Sequence, residues 1–398
     1  MIICDGMADR PVPELDNRTP LESARKPNMD ELARRGICGI MDTIAPGIPP
    51  GSDTAHLALL GYDPLKVYTG RGPFEAAGAG LEVRAGDVAL RVNYATVDKG
   101  LVVLDRRAGR IQETKPLEAA IQRIKLPGAQ FSFKSTAAHR ATLVLRGRGL
   151  SHKVSDSDPH KTGEKVLQVK ALSRGAAKTA RILNAFSRRA HEVLTKHRLN
   201  KERVRKGLPP ANYLLMRGAG IAPRLEPLRD KFHLNGACVA AAALVKGVCR
   251  MAGMKIVDVP GSTTDVDTDL NNEVGAVLQA LDGHDLVLYN IKGFDEVSHD
   301  GNFEAKVKFI ERVDLALKQL IDAADFIVLT ADHTTPVSVR EHTGDPVPVS
   351  IAGPGVRVDE IASYDERSAA KGGLGRIRGK DLLLILTNLM GKGKKFGA

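Results

Sequence analysis

Short apolar runs alternate with stretches of helical periodicity along most of this chain. Ile2-Ile3-Cys4-Asp5 reads as the end of an apolar strand, followed by Gly6. A helix is predicted from about Asn28 to Arg35, with Pro27 ahead of it and Gly36 as its stop signal. The Pro- and Gly-rich Ala45 to Gly51 predicts a loop. Ser52-Asp53-Thr54 ahead of the apolar Ala55 to Leu60 predicts a helix capped at or near Ser52. From Leu81 the pattern changes. Val88 to Val92, Leu101 to Leu104 and Ala141 to Leu145 read as strands, and a basic helical stretch runs from about Ala176 to Val204.

Past about Leu225 the first pattern resumes. Helices are predicted over Val239 to Met251, Asn271 to Ala280 and Phe303 to Ile321, and strands over Ile256 to Val259, Asp285 to Asn290 and Phe326 to Leu329. This alternation predicts an α/β fold, a mostly parallel sheet covered by helices on both faces. The N-terminal strand is expected to join that sheet. Residues 1–81 and 230–398 then form one discontinuous domain, and 82–229 an inserted, smaller α+β cap, with boundaries good to about ten residues.

Composition narrows the class. A length of 398 residues suggests two or three domains, and 43% hydrophobic with 26% charged residues is an ordinary globular balance. No run of eighteen uncharged apolar residues occurs, so no membrane helix is expected; the longest stretch, Ala237 to Val245, ends at Lys246. The start, Met1-Ile2-Ile3-Cys4-Asp5, lacks the basic flank of a signal peptide, and the expected location is cytoplasmic. Four cysteines without a CxxC spacing predict neither a disulfide framework nor a thiolate metal site.

Charge is unevenly placed. Between Glu82 and Arg229 there are 31 Lys and Arg against 12 Asp and Glu, so this segment carries +19 while the rest carries −8. A basic module in an acidic frame implies that one module handles an anion. With no Trp and 4% aromatic residues, the basic segment has little to stack on bases. A small, highly charged metabolite is therefore preferred to nucleic acid as the partner.

Three segments near predicted strand ends carry Asp and His: Asn290 to Gly301 with Asp295 and His299, Leu329 to Pro336 with Asp332 and His333, and Glu341 to Pro348 with His342. Loops beyond the C-terminal edge of an open α/β sheet form its ligand crevice, and Asp with neutral imidazole suits Zn or Mn. Asp5 also follows a strand, and Ser52 stands at a helix start that favours an anion. Taken singly, each residue reads as a cap or turn. Their joint occurrence at strand ends is the signal.

This set resembles the alkaline phosphatase superfamily and, within it, the archaeal type of 2,3-bisphosphoglycerate-independent phosphoglycerate mutase. The resemblance runs over nearly the whole chain. It is densest at Asp5-Gly6 with Asp9-Arg10-Pro11, at Pro50 to Ala55, at Thr69-Gly70-Arg71-Gly72-Pro73, at Asp332-His333-Thr334-Thr335-Pro336 and at His342 to Pro348. Within the insertion, Asp105-Arg106-Arg107-Ala108-Gly109-Arg110, His139-Arg140 and Ser155 to His160 also match it. The resemblance implies two divalent ions, of Mn, Zn, Mg or Co, and no bisphosphoglycerate. Asp295, His299 and His342 would hold one ion; Asp5, Asp332 and His333 would hold the other, with Ser52 bridging as nucleophile. Arg71, Asp105, Arg106, Arg107, Arg110, His139 and Arg140 would bind substrate, whereas the basic run Arg198 to Lys206 reads as solvated surface. The implied reaction is the glycolytic and gluconeogenic interconversion of 3- and 2-phosphoglycerate through a phosphoserine. The oligomeric state stays open, a homo-oligomer included.

Rival readings remain at this point. A metal-dependent phosphatase or phosphopentomutase would share the core. A sulfatase would require a Cys/Ser-x-Pro-x-Arg context that Ser52-Asp53-Thr54 does not supply. A basic RNA-binding protein would explain the charge and leave the Asp/His set without a purpose.

Overall fold

In the computed structural model, which describes residues 1–395 and 397, the chain divides into two compact units. The first comprises Met1–Tyr68 and Leu225 onward, the second Thr69–Arg224. The strands in chain order are β1 (Ile2–Cys4), β2 (Gly36–Asp42), β3 (Val88–Val97), β4 (Val103–Asp105), β5 (Gln130–Ser135), β6 (Arg140–Arg146) and β7 (Tyr213–Ile221). They continue with β8 (Gly236–Ala240), β9 (Lys255–Val257), β10 (Leu286–Ile291), β11 (Ile327–Thr330), β12 (Val347–Ala352) and β13 (Gly375–Arg378).

The first unit is built on an eight-stranded sheet in the order β13-β2-β12-β11-β1-β10-β8-β9. All neighbours pair in parallel except β12, which runs against β11 and β2. Strands β1, β8, β10, β11 and β12 are buried along their whole length, as a sheet covered on both faces requires. The helices form two packed groups. One joins Ser52–Leu59 to Ala243–Met251 and Gly379–Leu389; the other joins Phe303–Leu317 to Pro27–Arg34, Leu270–Leu281 and Gly293–Asp300. No helix among the described residues is long and apolar enough to cross a membrane.

Register decides what meets at the sheet's C-terminal edge. Ile3 of β1 lies opposite both Asn290 of β10 and Thr330 of β11. The three central parallel strands therefore end together and deliver Asp5, Lys292 and Asp332 to one edge.

The second unit is an antiparallel sheet ordered β4-β3-β6-β5, with β7 on the free side of β3. Alternation along β3 turns Val88, Leu90, Val92 and Tyr94 into a core shared with Leu117, Ile121, Leu183 and Phe186 from the helices Lys115–Gln122 and Ala177–Lys196. The helix Gly72–Gly78 packs on β3, β6 and β7, which is why residues 69–81 belong with this unit and not with the first. A Cβ at Gly72 would stand 2.1 Å from the Ala89 carbonyl oxygen, so only glycine allows so close an approach.

Two local expectations differ from what is found. The apolar stretch Ala237 to Val245 is a strand followed by a helix, β8 and Ala243–Met251, and not one helix from Val239. The basic stretch expected as one helix breaks at His197, whose backbone is extended, into Ala177–Lys196 and Arg198–Arg205.

One buried ion pair ties the first unit together. Lys306 Nζ and the Asp9 carboxylate, both with fully buried side chains, lie 2.8 Å apart, and the ammonium also reaches the carbonyl oxygens of Thr335 and Ala8 at 3.1 and 3.4 Å. Removing one partner strands a buried charge, at a cost of about 3–5 kcal/mol. Lys306→Met is expected to lower first-unit stability by about that amount in a urea titration, and adding Asp9→Asn should recover part of it. A loss for Lys306→Met below about 1 kcal/mol would show that the pair is not load-sharing.

Candidate active site

Local structure brings the Asp and His residues together in three ways. Asp295 and His299 lie one turn apart on the helix Gly293–Asp300, where i and i+4 share a face. Asp332 and His333 directly follow β11, and His342 sits in the return segment before β12. Asp5 follows β1, and Gly6 lets the chain turn there: its φ is +73°, and a Cβ would stand 2.9 Å from Thr335 Oγ1 and 3.0 Å from the Asp295 Cβ. Ser52 is the first residue of its helix, with the N-cap on Gly51.

All seven residues expected to form the metal and nucleophile set converge. His299 Nε2 and His342 Nε2 lie 3.4 and 3.3 Å from Asp295 Oδ1. His333 Nε2 lies 3.3 Å from Asp332 Oδ2, 3.5 Å from Asp5 Oδ1 and 3.4 Å from Ser52 Oγ. The His333 and His342 rings stack, with centroids 3.6 Å apart.

Proton placement follows from the partners. His299 Nδ1 and His342 Nδ1 each lie 2.7 Å from a backbone carbonyl oxygen, of Arg340 and Pro50, so each donates from Nδ1 and turns Nε2 toward the carboxylate. His56 Nδ1 likewise donates to the Ser52 carbonyl at 2.7 Å, and its Nε2 accepts from Asn290 Nδ2 at 3.2 Å. His56 is close to Asp5 and Asp332, but with both ring nitrogens engaged it positions the Ser52 turn and does not serve as a donor to a cation.

The electrostatics of the set are unbalanced. Asp5, Asp295 and Asp332 have side chains at most 5% exposed, and the ammonium among them is Lys292, 2.7 Å from Asp5 Oδ1 and 2.6 Å from Asp295 Oδ2. Burial lowers the Lys292 pKa, yet Asp5, Asp295 and Asp332 outweigh it and hold it above the lysine range. Burial and then the Asp5 charge push the Asp332 carboxyl well above its ordinary value. The hydrogen bond to Asp295 lifts His299 to about 9, while burial and His342 hold His333 well below the ordinary imidazole value. Among the described residues, Asp332 Oδ2 finds no hydrogen-bond partner.

A divalent cation fits this set. Donors held by one tetrahedral ion at about 2.0–2.1 Å stand about 3.4 Å apart. The imidazole–carboxylate separations at Asp295, Asp332 and Asp5 lie between 3.3 and 3.5 Å. Asp295 with His299 and His342 makes one such group, as expected; the others are Asp5 with Asp295 and His333, and Asp5 with His56 and Asp332, so the expected set of Asp5, Asp332 and His333 is divided between two groups. Sequence reasoning missed His56, Asn290, Lys292 and Thr335. Thr335 Oγ1 contacts His333 Nδ1 at 2.8 Å and Asp295 Oδ1 at 3.2 Å, and Asn290 Nδ2 donates to Asp5 Oδ2 at 3.1 Å. The i+4 spacing of Ser52 and His56 was the available signal for one of them.

In the second unit the expected substrate residues separate into two kinds. Asp105 accepts the backbone N–H groups of Arg107 and Gly109 and so caps a turn, and the Arg106 fork is taken by Asp158 at 3.1 and 2.7 Å. Arg110 is exposed at the end of that turn. His139 is buried, its pKa lowered to about 4 by burial and then by Arg140, Arg107 and Arg91. Arg71 pairs with Glu75 at 2.8 Å, and Arg91, which sequence reasoning missed, approaches the same Glu75 oxygen at 3.5 Å.

Comparison with known proteins identifies the family. Residues 33–200 match the family model described as 2,3-bisphosphoglycerate-independent phosphoglycerate mutase. Proteins carrying that name from Methanothermobacter thermautotrophicus and Methanopyrus kandleri are 50% and 52% identical, over the whole of this chain and 99% and 97% of theirs. A solved structure of a Pyrococcus horikoshii protein superposes with a TM-score of 0.87 at 39% identity, covering 100% of this chain and 98% of that one. A cofactor-independent phosphoglycerate mutase from Thermoplasma acidophilum gives 0.72 at 39% identity, covering 98% of each chain. With relatives at this identity along its entire length, the chain belongs to the family of 2,3-bisphosphoglycerate-independent phosphoglycerate mutases.

Proposed function

We propose that this chain is an isomerase that interconverts 3-phosphoglycerate and 2-phosphoglycerate, without bisphosphoglycerate, through a phosphoserine on Ser52. The observation that carries the reading is Ser52, a residue 7% exposed, whose hydroxyl faces His333 Nε2 beside three buried carboxylates whose charge Lys292 alone does not balance.

Two divalent ions would complete the site: Asp295, His299 and His342 would hold one, and Asp5, Asp332 and His333 with Ser52 the other. When bound, such ions neutralise charge on a transferring phosphoryl group and lower the pKa of a serine hydroxyl. The chain's own groups do the rest. Ser52 stands in the first turn of its helix, where the aligned peptide dipoles favour the phosphoryl anion. His56 fixes the Ser52 carbonyl, and hence the direction of Oγ. Lys292, anchored by Asp5 and Asp295, keeps a positive charge at the same place. The Ser52 hydroxyl gives up its proton as its oxygen takes the phosphoryl group, and the departing glycerate oxygen takes up a proton; the other glycerate hydroxyl then loses a proton as it takes the phosphoryl back, and Ser52 Oγ is reprotonated. In the basic second unit, Arg71, Arg107, His139 and Arg140 are candidates to bind substrate.

Ser52→Ala should keep its circular dichroism and lose at least about 10³-fold in isomerisation of 3-phosphoglycerate, as removal of a nucleophile does. Rapid quench of the wild type with labelled substrate should place phosphate on the peptide containing Ser52; turnover without label there contradicts the intermediate. Asp332→Asn should raise the melting midpoint of the metal-free protein. It removes a buried carboxylate whose ionisation burial and the Asp5 charge oppose. The same variant should lose most of the midpoint gain that Mn gives the wild type, and an unchanged gain assigns the ion elsewhere.

A further inference from the structure

The second unit holds a charged group on the wrong side of a strand for a structural role. Alternation along β3 sends Arg91 and Asn93 to the face opposite the hydrophobic core, beneath the helix Gly72–Gly78. Across the strand pairs, Arg91 lies directly opposite Arg217 of β7, and Asn93 opposite Arg140 of β6. Two guanidinium groups facing each other on one face of a sheet repel. Here the Arg91 side chain is 12% exposed and its pKa is lowered to about 9 by burial and by Arg71, Arg217 and Arg140, the nearby Glu75 only partly offsetting them. Glu75 thus answers four arginines, and burial does not prevent them from holding it ionised.

Polar atoms are also left without partners in this place. Among the described residues, none hydrogen-bonds to the Arg91 Nε donor, the Asn93 Oδ1 acceptor or His139 Nδ1. Asn93 is 5% exposed and His139 7%. A buried donor beside surplus positive charge calls for an anion, and a buried amide oxygen calls for a hydroxyl that can donate to it. Guanidinium forks match a carboxylate, and one carboxylate oxygen, Glu75 Oε1, already stands between Arg71 Nε and Arg91 Nη1.

We propose that Arg91, Asn93 and Arg217 form a binding site for a small hydroxycarboxylate, the guanidinium groups taking its carboxylate and Asn93 Oδ1 accepting its hydroxyl. Resting on the mutase reading, this assigns them to the glycerate portion of the substrate; Arg140 and His139 border the same place. Arg106, whose fork Asp158 occupies, then serves the framework of the site.

The test is calorimetric titration of the whole, metal-free protein with D-glycerate, propionate and inorganic phosphate. The wild type should bind D-glycerate more tightly than propionate, and Arg91→Met and Arg217→Met should each weaken D-glycerate binding at least tenfold. Asn93→Leu should weaken D-glycerate and leave propionate unchanged. As a measurement that needs no variant to fold, D-glycerate should protect Arg140 and Arg217 of the wild type from phenylglyoxal, read by peptide mass mapping. Absence of D-glycerate binding, binding unaltered in all three variants, phosphate binding in preference to D-glycerate, or no protection overturns the proposal. Loss of isomerase activity with D-glycerate binding intact would instead overturn the mutase reading and leave this site standing.

Discussion

Like charges forced together at one sheet edge govern this molecule. The register of β11, β1 and β10 fixes Asp332 and Asp5 side by side, and the helix after β10 adds Asp295. Three carboxylates are buried beside the Lys292 ammonium, and burial and then the Asp5 charge push the Asp332 carboxyl well above its ordinary value. Much of the surrounding structure answers that charge: Asn290 donates to Asp5, the Gly6 N–H donates to Asp332, and Thr335 donates to Asp295. What these contacts leave uncompensated is what divalent cations would supply, and Ser52 is placed to use them.

The basic second unit carries the complementary imbalance. Arginines gather around Glu75 because β3 and β7 bring Arg91 and Arg217 into register while the close packing at Gly72 lays the helix bearing Glu75 over them. One unit therefore concentrates buried carboxylates, and the other buried guanidinium groups.

Much of this was legible in the sequence, and the gaps have physical causes. The alternation of apolar strand and helix past Leu225 predicted the mostly parallel sheet, and strand-end placement marked Asp5, Asp332 and His333. The strand β8 was hidden because a strand buried on both faces shows no alternation, so Gly236–Ala240 merged with the helix after it. Asp295 and His299 were expected on a loop, although their i, i+4 spacing already suited the helix that carries them. Lys292 and Asn290 acquire a role only through the register of β10 with β1, which no local pattern reveals. In the second unit, motif resemblance drew attention to Arg106, whose fork is engaged by Asp158, and passed over Arg91 and Arg217, which look like ordinary strand residues until the pairing of β3 with β7 is known.

On the proposed reading, two divalent ions answer the carboxylate charge of the first unit, and catalysis depends on them. The most direct measurement is the number of Mn or Zn ions bound per chain, by native mass spectrometry of dialysed protein, with isomerase activity followed on the same samples as metal is returned. The account predicts saturation at two ions per chain and activity that rises only as the second site fills. Full activity with fewer than one ion per chain would contradict it.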